Sequence, residues 1–254
     1  MNEFAESLDR LLTEQCPPAR VRAIERGADT APLWQALEQS GFLDAMVPAE
    51  RDGAGLALAE AFDLFTLQGR HALPVPMARE IAARAIGVSG AGELPRELGA
   101  VVWAAQIVGA LERVLELSVA FANQREQFGR PIGKFQAVQH QLAVMAEHVA
   151  AARIAAQIGY QGAGPLPDAL QAAVAKARTS EAAALVAPMA HAVHGAIGVT
   201  AEFDLQLYTR RLHQWRGEYG SELAWQRVLG RAVLAAPQPL TLDFMRERLL
   251  PTGA

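Results

Sequence analysis

The stretch REQFGRPIGKFQAVQHQLAVM, residues 125–145, decides how the rest of the chain is read. Its first half is a break. Phe128, Gly129, Arg130 and Pro131 predict a tight turn, because glycine tolerates φ values closed to other residues and proline cannot continue a helix. Its second half restores a helical pattern, with Val138, Leu142 and Met145 spaced by four and three. Such a turn between two helices can present the guanidinium of Arg125, the amide of Gln127 and the edge of Phe128 together, a set suited to a phosphate and a planar base. On the residues alone, a plain αα corner with polar decoration is the preferred explanation.

Outward from this turn, apolar spacing of three and four continues in both directions. Upstream it predicts a long helix over about 100–126, with Ile107, Leu111, Leu115, Ser118 and Ala122 on one stripe. Downstream it predicts a helix over about 134–162, carrying Val138, Leu142, Met145, Val149, Ala152 and Ala156. Asp168 suits the cap of a third helix reaching to about Pro188, with a fourth running on through HAVHG to Gly195. Shorter helices are expected over about 202–213 and 220–236. Nearer the N-terminus the pattern gives helices over 3–16, stopped by Pro17 and Pro18, then 32–40, 59–69 and 77–86, with VPAERDGAGL (47–56) as a loop. The segment GVSGAGELPRELG (87–99) offers little to bury and reads as a linker. The expected fold class is all-α: an N-terminal helical domain over 1–87, a linker over 88–99, an antiparallel four-helix bundle over 100–236, and a tail over 237–254 of loop with one or two helical turns.

Composition narrows the function classes. The 254 residues carry 23 Lys and Arg against 27 Asp and Glu, a net charge of −4, so no basic excess exists to displace counterions from a polyphosphate, and nucleic acid is not expected as a partner. Hydrophobic residues make up 51% with only 6% aromatic, which points to helices packed closely through Ala, Leu and Val, on one another or on a partner chain. Cys16 is the single cysteine, so no intramolecular disulfide forms, and a cytoplasmic location is expected. The start MNEFAESLDRLLTEQ has neither a basic beginning nor an apolar stretch, and no apolar run is expected to reach the length of a membrane span.

Two familiar chemistries are disfavoured. A ferritin-like iron site needs Glu-x-x-His pairs, and none of the six histidines has a Glu three residues before it. His191 and His194 could share a helix face, but packing or capping is the plainer role, and no metal is expected. The glycines around 53–55 and 195–198 lack the third glycine and the preceding strand of a dinucleotide fingerprint.

The run Arg125-x-Gln127-Phe128-Gly129-x-Pro131-Ile132-x-x-Phe135-Gln136 resembles a signature of the C-terminal helical domain of acyl-CoA dehydrogenases, flavoproteins that oxidise acyl-CoA thioesters at the α and β carbons. HAVHGAIGVTAEFDLQLYTRRL (191–212) resembles the family's glycine turn and the Arg-bearing helix after it, and GFLDAMVPAERDGAGLALAEAF (41–62) resembles its N-terminal helical domain. The resemblance covers nearly all of residues 1–236, except that the family's middle β-domain, which surrounds the flavin ring, has no counterpart here.

The resemblance implies that Arg125 approaches the pyrophosphate of an FAD in a neighbouring subunit, with Gln127 and Phe128 beside the ADP portion and Gln136 near the adenosine end. Ala192 stands where the family commonly has a Gln, three residues before Gly195, the first glycine of its turn; His191 and His194 are the candidates to substitute. Aligning Gly220 and Ser221 with the family's Gly-Thr pair puts Tyr219 at the place of the Glu that removes the α-proton, and a phenol with a pKa of about 10 is a poor base at neutral pH. Glu218 is the candidate base, with Glu222 close by and Glu97 out of register; for each, a solvated charge or helix cap is the plainer role. The resemblance therefore implies a subunit of an FAD-dependent acyl-CoA dehydrogenase that joins a catalytic homologue carrying the β-domain, as a heterotetramer or through self-association of the bundle. Related two-gene enzymes act on bulky acyl-CoA side chains, including steroid-derived ones. The alternative is a helical scaffold that has lost FAD and acyl-CoA; a self-sufficient homo-oligomer using Glu218 is a third reading.

Overall fold

The computed structural model describes residues 3–88, 92–162, 164–237 and 240–249. Helix α1 (Glu3–Gln15) turns Ala5, Leu8 and Leu12 inward and stops before Pro17. Pro18 then opens α2 (Pro18–Glu25), a helix absent from the sequence expectation: the fixed φ of proline suits a first helical position, where its missing N–H has no partner to lose. Helices α3 (Ala31–Gln39), α4 (Leu58–Arg70) and α5 (Met77–Ala85) follow, and a 3-10 turn at Ala49–Arg51 sits inside the loop expected over 47–56. Cys16 is buried, and burial pushes its thiol up to about 11, so it stays protonated at neutral pH.

The core is organised round α6 (Arg96–Gln124). This helix starts four residues before Ala100, directly behind Pro95, so residues 96–99 of the expected linker are helical; residues 89–91 of that linker lie outside the described residues. From Leu98 to Leu111 every residue of α6 except Trp103 is buried, because α4 covers one side while the C-terminal helices cover the others. The α4–α6 approach is backbone to backbone: a Cβ on Gly109 would lie 1.8 Å from the Thr66 carbonyl oxygen, and one on Gly69 1.9 Å from that of Gln106. Glycine alone fits at that crossing.

Helices α7 (Gln136–Ile158), α8 (Ala169–His194) and α10 (Glu222–Ala235) complete the bundle with α6, and the short α9 (Leu205–Trp215) packs across α6 and α8. The sequence stripes hold for Ile107, Leu111, Ser118, Ala122, Met145, Val149, Ala152 and Ala156, all buried, while Leu115, Val138 and Leu142 are half-buried against the edge of the core. Asp168 caps α8, accepting from the backbone N–H of Leu170 (2.8 Å) and Gln171 (3.1 Å), worth about 1 kcal/mol. The expected break at Pro188 is corrected. The chain forms one helix through it, since Pro188 lies on the exposed face where its ring and the freed carbonyl meet solvent. In the tail, α11 (Thr241–Arg248) buries Phe244 against Leu170 of α8.

The turn between α6 and α7 is a small hairpin, β1 (Glu126–Gln127) antiparallel to β2 (Arg130–Pro131). Phe128 and Gly129 form its two-residue loop at φ +53° and +79°, the conformation that matches the twist of the flanking strands. Two-residue strands are too short to alternate, so the sequence pattern hid them. Among the described residues these are the only strands, and α5 leads to α6 without a β-domain: the fold is all-α with the middle domain absent.

The expectation about membrane length is also corrected. Helix α6, and α8 with the turn after it, are long and apolar enough to cross a bilayer; 78% of the relevant window of α6 is buried inside the protein against 44% for α8. The apolar run in α6 is explained by the core it fills, whereas half of that in α8 faces outward.

Candidate functional site

The hairpin brings the first group of sequence-expected residues to the C-terminal end of α8. Arg125 ends α6, its backbone N–H bonding the Phe121 carbonyl (2.8 Å), and Ile132 N–H closes the hairpin onto the Arg125 carbonyl (2.8 Å). The side chain is thereby left at the mouth of a cavity of about 440 Å³, whose walls include Phe121, Gln127, Ile132, Ala192, Gly195 and Ile197. The Arg125 guanidinium has no hydrogen-bond or ion-pair partner among the described residues, although this chain pairs most of its other arginines near the helices. Gly195, at φ +63°, ends α8 with open space where a Cβ would be. An unpaired bidentate cation beside an amide, at a concave surface walled by an aromatic ring and aliphatic groups, fits a diphosphate with an attached nucleoside. The pyrophosphate end of FAD therefore fits these residues; among the described residues no β-domain stands where a flavin ring would be enclosed.

Other expected residues are placed elsewhere. Phe128, 91% exposed, stands at the hairpin tip with its ring edge-on to Phe135, and Gln136 is the exposed first residue of α7; neither lines the cavity. His191 turns toward α9, its Nε2 3.0 Å from Thr209 Oγ1. His194 does reach the cavity wall, yet it is built in as packing: its ring stacks on Phe121 (4.5 Å between centroids) and its Nδ1 bonds the Ala190 carbonyl (2.8 Å). Burial holds both imidazoles below the usual histidine range, which keeps them neutral. Among the described residues no three His, Cys, Asp or Glu side chains gather as metal ligands.

Glu218 and Tyr219 lie at the opposite end of α8. Eighteen residues separate Lys176, which bonds the end of α9, from His194, so the two places are about 27 Å apart along the helix. Tyr219, at φ +55°, lays its ring on α6: a Cβ on Gly99 would meet it at 2.2 Å, and Trp103 lies beside it with centroids 5.5 Å apart. Trp225 Nε1 donates to the Tyr219 carbonyl (3.1 Å), and Arg96 stacks over the Trp225 ring (3.9 Å). Glu222 pairs with Arg216, which holds its carboxyl below the usual range against the opposing effect of burial. The sequence reading passed over Lys176, whose signal was a lone charge on the alanine-rich face of α8. Its ammonium is buried against the end of α9, with its pKa lowered by burial to about 7.

Residues 97–227, just over half of the chain, match the family described as "Acyl-CoA dehydrogenase, C-terminal domain", and the chain belongs to the acyl-CoA dehydrogenase family. Acyl-CoA dehydrogenase IpdE2 of Mycolicibacterium smegmatis is 36% identical over 173 residues, covering 67% of this chain and 52% of that protein. Its counterpart of the same name in Mycobacterium tuberculosis is 30% identical over 288 residues, covering 82% and 89%. The chain thus spans about half the length of the first relative and most of the second. In fold it matches a chain of the ChsE4-ChsE5 complex from Mycobacterium tuberculosis with a TM-score of 0.81 at 18% identity, covering 94% of this chain and 99% of that one. A chain of the steroid acyl-CoA dehydrogenase Tcur3481-Tcur3483 matches with a TM-score of 0.77 at 20% identity, covering 91% and 97%. At those identities the likeness is one of fold.

Proposed function

We propose that this chain is a partner subunit of an FAD-dependent acyl-CoA dehydrogenase, giving the bundle interface and part of the FAD site to a homologue that carries the β-domain. The observation that carries the reading is the unpaired Arg125 guanidinium at a cavity about 27 Å along α8 from the turn that bears Glu218 and Tyr219. A cation at one end and the place of a base at the other suit a cofactor shared between chains better than one enclosed by this chain. When bound, FAD supplies the acceptor for the hydride that leaves the β-carbon of an acyl-CoA. Arg125 and Gln127 would hold its diphosphate, with Ala192 and Gly195 leaving room beside them; Phe128 and Gln136, both exposed, would meet it only across a subunit boundary.

Several features support a covered surface. Ile154 on α7 is 63% exposed, Leu185 on α8 36% and Val199 just beyond α8 69%, although these helices form the apolar bundle. The solved chains of similar fold are nearly fully covered by this one, and they come from complexes of two named chains. Acyl-CoA as substrate, a bulky acyl group, a heterotetramer and a cytoplasmic setting all belong to this proposal.

The packed Tyr219 favours a second reading, a scaffold without cofactor or substrate. Flavin absorbance after gel filtration separates the two, measured for the chain alone and for the chain co-expressed with a homologue that contains the β-domain. Flavin retained by the complex and lost on Arg125→Ala is the expected result. A stable oligomer of this chain, with no flavin in either preparation, would leave the scaffold.

A further inference from the structure

Helices α1, α4, α6 and α9, with the corner at Pro17 and Pro18, enclose a cavity of about 450 Å³ that the flavin reading leaves unused. Asp9 and Thr13 enter it from α1, Arg70 and His71 from the end of α4, Arg113 from α6 and Tyr208 from α9. The two arginines share a carboxylate that stands outside the cavity wall: Glu116 takes both terminal nitrogens of Arg70 (2.7 and 2.9 Å) and one of Arg113 (3.2 Å). The pair therefore keeps one unbalanced positive charge, and Arg113, held by a single nitrogen, has N–H groups to spare. Asp9, the carboxylate in the wall, accepts from His71 Nε2 (2.7 Å).

Tyr208 supplies the other half of the site. It is only 3% exposed, and its hydroxyl meets the Arg113 guanidinium, which acts against the upward push of burial on the phenol. A guanidinium can only donate, so the phenolic oxygen accepts and its own hydrogen is left over. Among the described residues no acceptor is hydrogen-bonded to that hydrogen. A buried hydroxyl with an unspent hydrogen, beside a guanidinium with free N–H groups, is a place for an acceptor that carries negative charge. We propose that this cavity binds the carboxylate of a small organic acid, with Arg113 and Tyr208 as its donors. Neither donor lines the cavity at Arg125, so the inference is independent of the flavin reading.

The rest of the wall selects the ligand. One unbalanced charge suits a monoanion, and a planar carboxylate can take Arg113 on one oxygen and the Tyr208 hydroxyl on the other. Pro17, Pro18 and the buried Cys16 side chain offer an apolar surface to a short aliphatic body. Burial keeps the Cys16 thiol protonated although Arg211 and Arg20 act in the opposite sense, so the wall gains no further negative charge. Arg211 is spent on Glu25, and Arg20 bonds the carbonyl and side-chain oxygens of Gln15. An amine would find two guanidiniums and a carboxylate already bonded to His71.

The test uses the full chain with ring-labelled tyrosine and histidine, titrated with sodium butyrate at an ionic strength held constant with sodium chloride. Tyr160 and Tyr219, the other tyrosines of the chain, report any change elsewhere. Butyrate should shift the Tyr208 and His71 signals saturably, with a dissociation constant of about 1 mM, as so small a ligand allows, while Tyr160 and Tyr219 stay in place. Arg113→Met should weaken binding by about tenfold or more, and Tyr208→Phe, followed through His71, by about threefold to tenfold. Arg231→Ala, which removes an exposed cation outside the cavity, should leave the affinity unchanged. A Tyr208 signal that does not respond saturably would overturn the proposal, as would equal shifts of all the tyrosines or equal affinity for inorganic phosphate or butylamine. If Arg113→Met does not fold, unchanged affinity in Tyr208→Phe is decisive against it. A purely structural contact between Arg113 and Tyr208 would lower the stability of both variants but give the native chain no response to butyrate.

Discussion

The two ends of α8 carry one helix into opposite surroundings. At His194 the neighbours are a hairpin and a 3-10 turn, which leave a concave surface with an unpaired guanidinium at its mouth. At Lys176 the ammonium is closed in by the end of α9, and in the turn that follows Tyr219 packs on Trp103 and accepts from Trp225. The same helix thus ends in an open polar site on one side and a sealed one on the other. Polar groups stay available where turns meet a helix end; where helices converge most are paired, although Trp103 Nε1 and one Glu222 carboxylate oxygen are buried there without a partner.

The sharpest way to break this contrast is to force the sealed end open. Gly99→Val places a branched side chain where the Tyr219 ring lies, and should lower stability in urea denaturation by about 2–3 kcal/mol. Adding Tyr219→Ala should recover most of that loss, because the two residues are in contact and their effects are coupled. Tolerance of Gly99→Val alone would mean that the ring does not close this end.

The next effect is in pH. The folded pKa of Lys176 is lowered to about 7 from the ordinary 10.5, so between those values the unfolded chain holds a proton that the folded chain has released. Stability from this group therefore rises as pH increases from about 7, and is lost as pH falls through that value. Relative to Lys176→Met, the native chain should gain about 2 kcal/mol between pH 7 and 9 in denaturant titrations. Neutralising the buried charge removes its desolvation cost, and the neutral amine still has two N–H donors for the two carbonyls at the end of α9.

At the open end, Arg125→Ala should reduce flavin retention by the partner complex about tenfold to a hundredfold, while changing fold stability by less than about 0.5 kcal/mol, since the side chain is exposed and unpaired. A stability loss as large as that of Gly99→Val would show that Arg125 is structural and erase the contrast. The smallest expected effect is at Phe128, where a non-glycine residue sits at φ +53°. Phe128→Gly should raise stability in urea denaturation slightly, by about 0.5 kcal/mol after the lost edge contact with Phe135 is counted.

The fold was legible to the extent that it rests on period. The stripes of α6 and α7, the Asp168 cap and the end of α3 at Gly41 all follow local rules that the sequence states directly. Its failures are equally physical. Pro18 opens a helix where two prolines suggested only a stop, and Pro188 stays inside one because its face is exposed. The Arg125 hairpin was visible as a turn, but its pairing was not, because two-residue strands carry no alternation. At the site, Arg125, Gln127, Ala192 and Gly195 line one cavity, while Phe128, Gln136 and His191 do not. Lys176 escaped notice because a single lysine on a helix normally reaches solvent, and only the arrival of α9 removes it from water.

By itself the sequence determined most of the helices, the missing β-domain and the family, because periodicity and motif order are written along the chain and need no partner to be read. Tertiary structure alone decided which polar groups are free. Whether a guanidinium or an ammonium is available depends on what else packs within a few ångströms: Arg125 is left open by a hairpin that bends away, and Lys176 is enclosed by a helix end thirty-nine residues further along the chain.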